Sequence, residues 1–106
     1  MSREIDAVNR KRINIILSGQ RALLGTITPK LRIVETVWDE IKITLYFIYD
    51  GPFSKENEDQ SKLVARIIQQ DFMNYTVEAI CLRIDYPNNF PARIGKNCTL
   101  LYARKE

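Results

Sequence analysis

The 106-residue sequence contains no histidine. That absence removes the commonest general base and the commonest metal ligand. Only two cysteines occur, Cys81 and Cys98. Without histidine, and far apart in sequence, they make a poor zinc site. No metal and no cofactor are expected. A disulfide between them requires their strands to pair, and two free thiols are the expectation for a reducing compartment. No apolar run approaches the ~18 residues that suggest a membrane span. The segment Ser2-Arg3-Glu4-Ile5 brings in acid at once, which does not fit a signal peptide. A cytoplasmic location is expected. The glycine signatures of phosphate and nucleophile loops are missing as well. Gly95-Lys96 is followed by Asn97, and Phe90 stands where a P-loop needs its first glycine. Neither G-x-G-x-x-G nor G-x-S-x-G occurs. These absences predict a protein that is not an enzyme.

What is present fits one α+β domain over residues 1–106. Hydrophobic residues make up 45% and charged residues 27%, enough of each for a packed core under a solvated surface. The net charge of +3 is compatible with an anionic partner without specifying one.

Residues 2–24 read as a helix, with Ser2 as cap and Glu4 and Asp6 at its positive end. Asp6 and Arg10 are spaced for an ion pair. Ile5, Val8, Ile15, Ile16 and Leu23 form its apolar stripe. Ser18-Gly19 predicts a kink or an early end, and Gly25 a stop. Leu31–Trp38 reads as a strand. After an Asp39-Glu40 turn, the run Ile41–Tyr49 is the most β-rich in the chain. Ile41, Ile43, Leu45, Phe47 and Tyr49 share one face, and Lys42, Thr44, Tyr46 and Ile48 the other. Asp50-Gly51-Pro52 ends it. Ser54 opens a second helix whose stripe is Leu63, Val64, Ile67, Ile68 and Phe72. Glu58 and Lys62 are spaced for an ion pair. Tyr75–Tyr86 and Asn97–Arg104 read as the last two strands, separated by a proline-containing loop.

The order α-β-β-α-β-β predicts a two-layer sandwich: one four-stranded sheet, mixed or antiparallel, with both helices on one face. The helix between strands two and three returns the chain, so those strands should run parallel, with strand two internal.

Two acidic groups invite attention: Asp39 and Glu40 in the turn, and Glu56, Glu58 and Asp59 at the second helix start. As catalytic pairs they lack a cleft to separate their pKa values. Trp38 beside the first group reads either as core or as an interface anchor. If the helices cover the first sheet face, Tyr46, Ile48, Val34 and Trp38 form an open patch on the second. Arg10-Lys11-Arg12, with Arg21, Lys30 and Arg32, reads as a solvated face or as a basic patch.

The runs LSGQRALLGTITPKLR at 17–32, WDEIKITLYFIYDG at 38–51 and LRIDYPNNFP at 82–91 resemble small bacterial α+β proteins that include immunity proteins of contact-dependent growth-inhibition systems. The resemblance extends over nearly the whole chain. It implies a cytosolic antidote that binds the toxic C-terminal domain of a cognate effector, often a nuclease, and blocks its active site or substrate groove. It carries no catalytic motif and no shared toxin-contacting residues. Such proteins are frequently acidic, and this chain is basic. Either the toxin's contact surface is not strongly basic, or a local acidic patch meets it. The toxin-binding candidates are therefore Trp38, Asp39 and Glu40, or Glu56, Glu58 and Asp59. The helix direction should set these groups at opposite ends of the domain. The alternative is a small basic RNA-binding or ribosome-associated protein, resting on the pI of about 9.0 and the Arg10–Arg12 cluster.

Overall fold

The strand Lys42–Tyr49 (β2) is internal to the sheet and paired on both sides, as expected. It pairs antiparallel with Leu31–Trp38 (β1) and parallel with Thr76–Arg83 (β3). Cys98–Ala103 (β4) adds antiparallel to the other side of β1, giving the order β3-β2-β1-β4. Two helices, Arg3–Ala22 (α1) and Lys55–Asp71 (α2), complete the α-β-β-α-β-β chain. This is a computed structural model. It describes residues 3–89 and 97–106, with side chains from residue 9 onward. The expected Ser2 cap, the roles of Glu4, Ile5, Asp6 and Val8, and the Phe90–Lys96 segment lie outside the described residues or side chains.

Both helices lie on one face of the sheet. Ala22 and Leu23 of α1 and Val64, Ala65 and Ile68 of α2 share a buried cluster with Val34, Leu45, Phe47, Tyr49 and Leu101. A smaller cluster of Ile15, Trp38 and Ile43 closes the end of the sheet near the β1–β2 turn. Such burial removes apolar surface from water at about 25 cal/mol per Å².

Several expectations shift in the third dimension. α1 does not end at Ser18-Gly19 but runs on to Ala22. Ser18 Oγ instead donates to Asp71 Oδ2 of α2 at 2.7 Å. Gly19 lets the helix approach β4, where an added Cβ would come within 2.5 Å of Leu101 Cδ1. Past the helix end, Gly25 takes φ +78°, the left-handed conformation expected of a stop there. On α2, Leu63 is 50% exposed, and Ser61 and Ala65 are buried in its place. The inward stripe is 61, 64, 65, 68, and Leu63 sits about 100° from Val64 around the axis.

The strand reading changes too. Ile41 belongs to the turn and is 71% exposed. Asp39 N–H donates to Lys42 O at 2.9 Å, so Glu40-Ile41 are the turn's central residues. This sets Trp38 opposite Ile43 and Val34 opposite Phe47. Directly opposed residues share a face. Val34 and Trp38 are therefore buried beneath the helices, not grouped with Tyr46 and Ile48 on the second face. Tyr46 faces Glu35 and Ile48 faces Ile33, and Ile33, Glu35 and Ile48 are all buried. The expected patch of Tyr46, Ile48, Val34 and Trp38 does not form.

Cys81 and Cys98 are not joined in a disulfide and lie on the two outermost strands. Three interstrand spacings, about 14 Å, separate those strands, well beyond disulfide reach.

Candidate functional site

α2 begins with a capping box. Ser54 Oγ accepts from Asn57 N–H at 3.1 Å, and Asn57 Oδ1 accepts from Ser54 N–H at 2.9 Å. Asparagine takes the place usually held by Glu or Gln. The first turns are thereby fixed with Glu56, Glu58 and Asp59 all exposed. None of these three carboxylates makes a hydrogen bond or ion pair among the described residues, and the expected Glu58–Lys62 pair does not form. Glu58 and Lys62 instead stand on the wall of a shallow groove of about 230 Å³ between α2 and β3, which Phe53, Ser61, Ala79 and Cys81 complete. The Cys81 thiol donates to Ser61 Oγ at 3.3 Å, and burial pushes its pKa up. It is therefore a protonated packing group, not an activated nucleophile.

The turn group is differently placed. α2 runs back from the Tyr49 end of β2 to the Thr76 end of β3, where Thr76 N–H donates to Ile41 O at 2.9 Å. The two acidic groups therefore lie at opposite ends of the sheet, as expected. Asp39 is spent on local structure. Its Oδ1 accepts from Ile41 N–H at 2.8 Å and Lys42 N–H at 2.7 Å, which holds its carboxyl below the usual carboxylate range. Trp38 is 4% exposed, packed with Ile15 and Ile43 beneath the Arg12 guanidinium at 5.6 Å. Only Glu40 and the exposed Ile41 remain available at that tip.

The basic triplet splits three ways. Arg10 is exposed, Lys11 Nζ sits 4.9 Å from the Tyr75 ring, and Arg12 Nη1 donates to Cys98 O at 2.6 Å. Arg32 is buried and Arg21 pairs with Asp71 at 3.2 Å. Arg12 and Arg32 are thus engaged with backbone carbonyls inside the fold, while Arg10 faces solvent.

Among the described residues, no three histidine, cysteine, aspartate or glutamate side chains gather as metal ligands. None of the helices described is long and apolar enough to cross a membrane. What the surface offers is uncommitted carboxylates beside a shallow groove, an arrangement suited to binding another macromolecule.

A family model described as MafI2 immunity protein matches residues 12–106. No curated protein matches the chain.

Proposed function

The chain belongs to the MafI2 immunity protein family, a family of non-catalytic antidotes, and from that premise we propose that it neutralises its cognate toxin by binding the toxin's C-terminal domain. In this reading the antidote acts in the cytoplasm as a single domain, within a toxin system of the contact-dependent growth-inhibition kind. The toxin domain is a nuclease, and binding occludes its active site or substrate groove.

The observation that carries the site is the free acidic trio at the start of α2. Glu56, Glu58 and Asp59 are exposed and rigidly presented by the Ser54–Asn57 box. Nuclease substrate grooves are basic because they hold phosphates. A local acidic patch meets such a groove even on a chain of net charge +3. Paired across an interface of roughly 800 Å² per partner, such charges speed encounter and set specificity. The turn tip supports less, since Trp38 is buried and Asp39 already accepts two backbone bonds.

Calorimetry with the C-terminal domain of the cognate toxin tests the reading. One-to-one nanomolar binding with loss of toxicity is expected. Reversal of Glu56, Glu58 and Asp59 to lysine should weaken binding at least tenfold, and Glu40→Lys should not. Wild-type-like protection by the triple variant would remove the site assignment. Absence of any binding by the native chain would remove the function.

A further inference from the structure

The two edges of the sheet are finished differently. At the β4 edge, α1 reaches over and covers two carbonyls: Arg12 Nη1 donates to Cys98 O at 2.6 Å and Gln20 Nε2 to Leu101 O at 2.5 Å. Guarding of this kind prevents another strand from adding there. Among the described residues, the β3 edge has no equivalent along most of its length. The β2–β3 ladder is bounded by Thr76 N–H to Ile41 O and Ile84 N–H to Tyr49 O. Parallel pairing alternates, so the even-numbered residues of β3 bond inward and Val77, Ala79, Cys81 and Arg83 point their N–H and C=O groups outward. Gln69 Oε1 accepts from Val77 N–H at 3.0 Å. The outward amides of Ala79, Cys81 and Arg83 have no hydrogen-bond partner among the described residues.

We infer that the β3 edge at Ala79–Arg83 takes up an extended segment of the toxin domain as a fifth strand. The inference rests on the antidote reading above and adds its mode of binding. The chemistry of the edge selects its occupant, because a row of alternating donors and acceptors at strand spacing is matched only by another extended backbone. The groove along this edge, between α2 and β3, receives the side chains on one face of that segment. Ile80 and the exposed Leu82 meet those on the other. Glu58 on the groove wall, with Glu56 and Asp59 beside it, favours a segment carrying lysine or arginine on its groove side.

Amide hydrogen exchange on the isotopically labelled chain, with and without the C-terminal domain of the cognate toxin, reads the edge directly. In the complex, exchange at Ala79, Cys81 and Arg83 should slow at least tenfold. Cys81→Pro removes one outward donor without touching the β2 ladder, and edge strands tolerate proline. It should weaken toxin binding about tenfold or more while circular dichroism stays native. If Cys81→Pro does not fold, the exchange measurement alone decides. Toxin binding with unchanged exchange at these three amides overturns the edge assignment and leaves the antidote reading standing. Slow exchange without toxin, together with a dimer in sedimentation, overturns it in favour of self-pairing. No binding of the toxin domain by the native chain overturns both.

Discussion

The Arg32 guanidinium, 3% exposed, grips the Glu106 carboxylate with two parallel bonds, Nε to Oε2 at 2.6 Å and Nη2 to Oε1 at 2.8 Å. Arg32 Nη1 also donates to Ile84 O and Asn88 O, so one side chain ties β1 to the segment after β3 and to the residues after β4. Arg104 adds a third bond to Glu106, from Nη2 to Oε2 at 3.0 Å. Planar two-pronged geometry of this type is the strongest form of ion pair available to arginine.

This contact predicts an acid limb in stability. The hydrogen bond from Arg32 is the main reason the Glu106 carboxyl falls from an ordinary value of 4.5 to about 2. A carboxyl lowered on folding contributes stability that is fully present above its unfolded value. That contribution is lost as pH falls from about 4.5 through about 2. Glu106→Gln should lower the urea midpoint at pH 7 and flatten its decline over that window. An unchanged acid limb in the variant would show that the pair does not couple to folding.

Gly19 predicts a stability loss from a substitution that ordinarily helps a helix. Alanine gains about 1 kcal/mol over glycine in a helix interior. Here its Cβ would lie 2.5 Å from Leu101 Cδ1 and 3.2 Å from Cγ, so the whole buried side chain must move. Overpacking of this kind costs about 1–3 kcal/mol. Gly19→Ala should therefore destabilise the fold by about 1 kcal/mol net in urea denaturation. A stabilised variant would mean that Leu101 yields easily.

Trp38 and Glu40, two residues apart, should separate in mutagenesis. Trp38→Ala opens a hole between Ile15 and Ile43 and should cost about 3–5 kcal/mol. Any loss of toxin protection in that variant should track the unfolded fraction. Glu40→Lys changes an exposed side chain and should leave the denaturation midpoint within experimental error. A stable Trp38→Ala variant that lost toxin binding would place the indole at the interface after all.

Much of the fold was legible in the chain. The Ser54 cap, the Asp50-Gly51 stop, the Gly25 turn and the alternation along Ile43–Tyr49 each act through residues close in sequence. The returning helix fixed the parallel β2–β3 pair, because only a crossover of that length joins parallel strands. The acidic trio at α2 was legible for the same local reason. Trp38 was not. Its neighbours in sequence are turn residues, and its neighbours in space are Ile15, Ile43 and Arg12.

The sequence by itself determined the elements, their order and the charges at their ends, because caps, periodicity and turn residues work over a few positions. Only the tertiary structure decided which strand residues lie beneath the helices, since the Glu40-Ile41 turn sets the β1–β2 register and one residue of slip inverts every side chain. It alone decided that Gly19 is a contact and not a break, that the basic triplet is divided among a ring, a carbonyl and solvent, and that α1 side chains guard the β4 edge while most outward β3 amides have no partner among the described residues. Each of these depends on which distant segment lies alongside, and local pattern carries no record of that.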